Sequence, residues 1–326
     1  MFERILVPLD GSQRAEQVLP HAANLALAFE AQVLLLRVQT HPEDPSKRLP
    51  DPITWEIDRS EARRYLDQIA CRMEAEGVQT KTLLREGKPA ESIIMCVEEE
   101  QADLIVLSSI GKTEYTGWNI SSTVQNVVQR ANTSIMLTRT ESVLAPVAKM
   151  QYRNICLPVD ASLRAEYAIP VTAHLAQCFQ SKVHAVHILK RIEHCGPLPP
   201  SLQDQELANE LTTRNREKAQ SYLHGLQKRF PSIYTTYLRE ASNVSTALHQ
   251  LVEQKGMDLV VLTAHGSSGS RRFPYGNIAL SFLLFGSIPL LVLQDLPGKA
   301  KRENHSDQLI RLPEGVATEV HWALST

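Results

Sequence analysis

A chain of 326 residues is too long for one ordinary small domain and suits two, each long enough to bury its own core. Its 34 Lys+Arg against 36 Asp+Glu leave a formal charge of −2, which removes the electrostatic argument for a dedicated nucleic-acid or membrane-surface partner. The five cysteines (Cys71, Cys96, Cys156, Cys178, Cys195) are odd in number and form no C-x-x-C pair, and no apolar leader or run of about 18 apolar residues occurs, so the expectation is a soluble, cytoplasmic protein with reduced thiols and no membrane span.

Arg4 to Leu9 is a short continuous apolar run, as expected of a strand covered on both faces. Asp10-Gly11-Ser12 ends it, Ser12 is a suitable N-cap, and Ala15, Val18, Leu19, Ala22, Leu25, Ala26 and Phe29 fall on one face of a helix. Gln32 to Gln39 reads as a second strand. A proline-bearing loop leads to a charged helix over about Trp55 to Glu76, and Thr80 to Arg85 is the third strand. Pro89 opens the next helix, where its missing N–H costs little, and that helix runs to about Glu100. Leu104 to Leu107 is the fourth strand, Asn119 through Arg130 is helical, and Ser134 to Thr138 closes the unit. Strands alternating with helices imply right-handed crossovers and a parallel sheet.

The pattern then begins again. Ile155-Cys156-Leu157-Pro158-Val159-Asp160-Ala161-Ser162 repeats Ile5 to Ser12, Arg164-Ala165-Glu166 and Pro170 repeat Arg14-Ala15-Glu16 and Pro20, and Asp258-Leu259 repeats Asp103-Leu104. Two copies of one α/β domain follow, at 1–140 and 152–296, with a linker at 141–151 and a polar tail at 297–326. In each copy the fourth strand runs into a loop of glycine, serine and basic residues ahead of a helix, the sequence form of an anion cradle.

The start I-L-V-P-L-D-G-S, the five-strand alternation and a fourth-strand loop close to G-x2-G-x9-G-[ST] together resemble the universal stress protein family, and the duplication resembles its tandem members. The resemblance covers about 2–140 and 152–295. It implies two doubly wound five-stranded parallel sheets of order 3-2-1-4-5, paired through their fifth strands as an intramolecular pseudo-dimer, with Ile135 to Thr138 against Leu290 to Leu293. It implies ATP or a related adenine nucleotide as ligand, with or without Mg²⁺, held by the aspartate after strand one and by the glycine loop. Ligands of open parallel sheets sit at that end.

Carried over by position, the second site comprises Asp160, Thr263 in place of the first glycine, Gly266, Gly276, and Asn277 in place of Ser/Thr. The first comprises Asp10, Ser108 in place of the first glycine, Gly111, and the closing pair Ser121-Ser122. Gly276 makes the second site the better candidate. If the later glycine is needed for a positive φ, Ser121 costs roughly 1 to 2 kcal/mol; if only its N–H is needed, Ser121 serves. Asp10 and Asp160 read either as ligand acceptors or as caps of the following helix. Arg271, Arg272 and Lys112 could reach a phosphate or be solvated.

Other motifs fail on inspection. Gly111-Lys112-Thr113 lacks the earlier P-loop glycine, because Val106 stands there, and Gly266-Ser267-Ser268-Gly269 is no nucleophile elbow, because Ser270 stands where a glycine is required. His184 and His187 project to opposite faces of one strand and cannot share a metal. Glu98-Glu99-Glu100 reads as a solvated helix end, and Cys156 as a small buried hydrophobe. No catalytic or metal residue emerges. A nucleotide-binding regulator is the leading expectation, with a non-binding scaffold or a slow nucleotide hydrolase as alternatives, homo-oligomerisation open and the protein partner undefined.

Overall fold

Short runs of β-branched and leucine residues form the ten strands of one sheet. The computed structural model describes residues 1–40, 51–109, 120–139, 151–191, 201–267 and 274–294. The first repeat contains β1 (Arg4–Leu9), α1 (Gln13–Glu16), α2 (Leu19–Phe29), β2 (Gln32–Gln39), α3 (Pro52–Glu74), β3 (Thr80–Glu86), α4 (Pro89–Glu99), β4 (Leu104–Ser108), α5 (Ser122–Arg130) and β5 (Ser134–Thr138). The second contains β6 (Asn154–Pro158), α6 (Leu163–Glu166), α7 (Ala168–Phe179), β7 (Lys182–Lys190), α8 (Leu202–Arg229), β8 (Ile233–Ala241), α9 (Val244–Gln254), β9 (Leu259–Thr263), α10 (Asn277–Phe285) and β10 (Leu290–Leu293). Met1–Leu296 forms one compact unit. All of the linker expected at 141–151 except Gln151, and the whole tail expected at 297–326, lie outside the described residues.

The strand order is β3-β2-β1-β4-β5-β10-β9-β6-β7-β8, which is 3-2-1-4-5 read inward from each border. All pairings are parallel except that of β5 with β10, where Leu137, Met136 and Ile135 face Leu290, Leu291 and Val292. Strands buried on both faces explain the unbroken apolar runs, and an apolar layer on each side of the sheet draws residues from both repeats.

Two expectations need correction. The helix expected from Ala15 to Phe29 is two helices, because Pro20 has no N–H to give and its ring would strike the carbonyl four residues back; Pro170 divides α6 from α7 in the same way. Glu99 and Glu100 are not simply solvated, since they bind Arg85 at 3.1 Å and Lys81 at 2.6 Å along β3.

Polar contacts reinforce the seam between repeats. The Tyr275 hydroxyl donates to the Thr133 carbonyl at 2.7 Å, and the Gln294 amide donates to Ser134 Oγ at 3.1 Å. Arg139 Nη2 donates to the carbonyls of Phe282 and Leu283 at 2.8 Å each, so a cation of the first repeat caps the last turn of α10 in the second. Burial lowers its pKa to about 10, which still leaves it charged at neutral pH. On the opposite face α2 packs on α7. There the ring of Phe29 lies 4.9 Å from His174, whose Nε2–H donates to the Ala28 carbonyl at 2.6 Å.

His21, 4 % exposed, lies at this seam and takes the Tyr152 hydroxyl at Nδ1. Burial lowers its pKa from 6.5 to about 4. Between those values the unfolded chain binds a proton that the folded chain refuses, so stability falls as pH falls from 6.5, by about 3 kcal/mol once pH 4 is reached. Urea midpoints at pH 7 and pH 4.5 for the wild type and His21→Val, which imports the matching Val171, should show a pH-dependent loss smaller by about 2 kcal/mol in the variant. Equal losses would remove His21 as the cause.

Candidate functional site

Both repeats leave their first strand by the same turn. Asp10 Oδ1 accepts from the Ser12 amide (2.9 Å) and hydroxyl (2.6 Å), and Ser12 Oγ accepts from the Ala15 amide at 3.1 Å. Asp160 Oδ1 does the same with Ser162 at 3.1 and 2.6 Å, and Ser162 Oγ caps α6 at the Ala165 amide, 3.1 Å. The serine is therefore the cap and the aspartate orients it through one carboxylate oxygen. The residue between them is left-handed in both copies, Gly11 at φ +75° and Ala161 at φ +63°. Glycine takes that conformation freely, whereas alanine carries the clash of its Cβ.

In the second repeat the fourth strand's loop meets this turn. The Ser267 amide donates to Asp160 Oδ2 at 2.6 Å, and a Cβ on Gly266 would lie 2.2 Å from that oxygen. Gly266 is thus required by a close approach, because any side chain would displace the carboxylate. Burial alone would raise the Asp160 pKa, but the bonds from the Ser162 hydroxyl and the Ser267 and Ser162 amides outweigh it and hold the group below the usual carboxylate range. Thr263, where the motif has its first glycine, is buried and donates through Oγ1 to the His265 carbonyl at 2.8 Å, so its hydroxyl closes the loop.

The later glycine has a different basis from either reading of the sequence. Gly276 has φ −78° and Ser121 φ −72°, so no left-handed backbone is needed at this position. Nor is the N–H spare: Gly276 donates to the Ala264 carbonyl at 2.7 Å and Ser121 to that of Ser109 at 2.8 Å. What separates them is the side chain. Ser121 Oγ caps α5 by accepting from the Val124 amide at 3.3 Å, whereas α10 starts at Gly276 with no side-chain cap, and a Cβ there would meet the Ala264 carbonyl at 3.3 Å.

The structure thus brings Asp160, Thr263, Gly266 and Gly276 together at the ends of β6 and β9, with Asn277 exposed at the start of α10. In the first repeat Asp10, Ser108, Ser121 and Ser122 occupy the corresponding strand and helix ends. Gly111, Lys112, Arg271 and Arg272 lie outside the described residues. Among the described residues no His/Cys/Asp/Glu group could hold a metal. Cys156 is fully buried, which pushes its thiol up to about 12.

One group of neighbours was missed from sequence. Arg37 packs on Gly11, with Nη1 only 2.5 Å from where a Cβ would stand, and lies 5.8 Å from the Tyr65 ring; in the second repeat His187 takes this place, bonded through Nδ1 to the Val159 carbonyl at 2.9 Å. Glu16 pairs with Arg72 at 3.1 Å and Glu166 with Arg229 at 2.8 Å, behind each aspartate turn. Burial first, and then the adjacent Glu16 or Glu166, pushes the phenols of Tyr65 and Tyr222 up. The repeated seven-residue spacing of Tyr65 to Arg72 and Tyr222 to Arg229 was the signal that could have found them.

The profile of the universal stress protein family matches residues 1–139 and 151–294. The chain belongs to the universal stress protein family. A universal stress protein of Mycolicibacterium smegmatis is 21 % identical over 305 residues, covering 89 % of this chain and 96 % of that one. A single-domain relative from Methanocaldococcus jannaschii is 29 % identical over 143 residues, 43 % of this chain and 83 % of its own. Among solved structures, a universal stress protein of Archaeoglobus fulgidus superposes with a TM-score of 0.61 at 16 % identity, over 89 % of this chain and 98 % of its own. The two matched segments and the full-length relative identify this universal stress protein as a tandem member.

Gly266→Ala should destabilise the protein by about 1 to 3 kcal/mol through the clash with Asp160, and by at least about 1 kcal/mol less in an Asp160→Ala background. Equal costs in the two backgrounds would show that the carboxylate is not what the glycine accommodates. Ala161→Gly should raise stability by about 0.5 to 1 kcal/mol, as read from the urea midpoint, by relieving the left-handed alanine.

Proposed function

We propose that this tandem universal stress protein is a cytoplasmic regulator that binds ATP or a related adenine nucleotide at the strand ends of its repeats, which we bound at 1–140 and 152–296. The observation that carries this reading is the seating of the ionised Asp160 carboxylate directly on Gly266. It joins the strand-one aspartate to the fourth-strand glycine loop, the two parts that the family resemblance assigns to the adenine side and to the ribose and phosphates. Asp160 would accept from a ligand N–H or O–H, Gly266 lets the loop lie against that carboxylate, Gly276 lets α10 start against the Ala264 carbonyl, and Asn277 lies where the first turn of α10 offers main-chain N–H groups to an anion. Asp10, Ser108, Gly111, Ser121 and Ser122 form the weaker counterpart. Ligand occupancy then acts by altering the surface, not by chemistry.

One observation favours the scaffold alternative. Both oxygens of Asp160 already accept protein hydrogen bonds, from Ser162 and Ser267, so a nucleotide has to displace the Ser267 amide or share its oxygen. Isothermal titration with ATP, with and without Mg²⁺, decides between them. Binding should be measurable below millimolar, fall at least about tenfold in Asp160→Ala, and be lost in Gly276→Leu but kept in Ser121→Leu, with thermal melts confirming that each variant is folded. No heat up to millimolar ATP would leave the scaffold reading standing.

A further inference from the structure

Among the described residues each half of the sheet ends in an outer strand with a sheet partner on one side only, β3 beside β2 and β8 beside β7. Such borders present unpaired main-chain groups. On β3 the charge is neutralised from within, by Glu100 on Lys81 and Glu99 on Arg85. The second repeat departs from this at matching positions: Gln254 stands for Glu99, Lys255 for Glu100 and Lys182 for Gln32. Arg239, the counterpart of Arg85, bonds Gln250 and Gln254 at 3.2 and 3.5 Å instead of a carboxylate. Lys182 and Lys255 are exposed, and among the described residues neither has a carboxylate within ion-pair distance.

What they do have is aromatic. Lys182 lies over the Tyr234 ring at 4.8 Å and Lys255 over the Tyr237 ring at 5.1 Å, with His184 between the rings at 5.9 Å from each. Tyr234 is the additional residue of a bulge: Val183 pairs with Ile233 but His184 with Thr235, a shift that the β2–β3 pairing lacks. His184 replaces Leu34 of the first repeat. Its Nε2 bonds Asn154 Oδ1 at 3.2 Å, while Nδ1 is buried without a partner. Burial, and then the charges of Lys182 and Lys255, lower its pKa, so the ring stays neutral and the two ammonium groups, with the Arg239 guanidinium, are the cations of this border. Gln227 covers the carbonyls of Ile233 and Tyr234 at 3.4 Å, while Thr235 to Ala241 pairs regularly with β7 and, among the described residues, has no strand on its other side.

We propose that the outer border of β8 docks an extended acidic peptide segment of a partner protein, which adds as a further strand and sets carboxylate or phosphorylated side chains on Lys182 and Lys255. Main-chain bonds would supply affinity and the lysines the choice of partner. The chemistry favours a peptide over a polynucleotide. The cations are three, Lys182, Arg239 and Lys255, two of them already over tyrosine rings, and the chain as a whole is net acidic. Lys182, Tyr234 and Lys255 lie at the starting end of the second repeat's strands, away from Asp160 and Gly266, so the surface does not depend on the nucleotide reading.

The test is a selection of random dodecapeptides displayed on phage against the full-length chain, followed by anisotropy titration of a selected peptide. Acidic residues should be enriched, Lys182→Gln/Lys255→Gln should weaken binding at least tenfold with an unchanged melting profile, and replacing the peptide's acids by amides should do the same to the wild type. Hydrogen exchange of the wild type with bound peptide should slow at amides within 235–241, a readout that needs no variant. A selection that retrieves nothing or shows no acidic bias would overturn the proposal. So would unchanged exchange in β8, or lysine-dependent binding of oligothymidylate with no peptide binding.

Discussion

Three facing pairs, Ile135 with Val292, Met136 with Leu291 and Leu137 with Leu290, hold the two repeats in one sheet, and much of the architecture follows from that antiparallel seam. A five-stranded parallel sheet leaves its fifth strand apolar and open on one side, which is an aggregation hazard in isolation. Joining the two fifth strands removes both borders at once. It also places α2 against α7 on one face and brings Tyr275, Gln294 and Arg139 to their cross-repeat partners at the seam. The remaining borders among the described residues are β3 and β8, and the contrast between them is one of charge: Lys81 and Arg85 of one meet its own carboxylates, whereas Lys182, Arg239 and Lys255 of the other do not.

Within each repeat the organising contact is the turn after the first strand. The aspartate orients a serine, the serine caps the next helix, and in the second repeat the other carboxylate oxygen fixes the glycine loop. Architecture and candidate site therefore share atoms. An aspartate that was only a cap or only a ligand acceptor would not need a glycine against its Oδ2.

The fold was legible in the sequence because strand periodicity, the position of Asp10 and Asp160 and the duplication are all local or self-similar signals. The pairing of β5 with β10 was implied by the family resemblance, and it covers two apolar strands that would otherwise be open on one side. The split of the first helix at Pro20 was missed because apolar spacing continues smoothly across it; the steric veto of one ring outweighs that pattern. The site was legible in its members but not in its reasons. Gly266 answers to a carboxylate 107 positions away from Ser267, a distance over which spacing carries no information, and Gly276 turned out to need neither a left-handed backbone nor a spare N–H. Arg37 and Tyr65 went unseen because an arginine at a strand end and a tyrosine on a charged helix look like ordinary solvated positions until the fold sets them beside Gly11.

The antiparallel seam has a directional consequence. Strands within each repeat are parallel, so each repeat has one end where Asp10 or Asp160 sits, and reversing direction at the seam points those ends opposite ways. A molecule held at Asp160 cannot touch one held at Asp10, and no single small ligand can bridge them. Communication between the two ends would have to pass through the sheet itself, by way of β5, β10 and the guanidinium of Arg139.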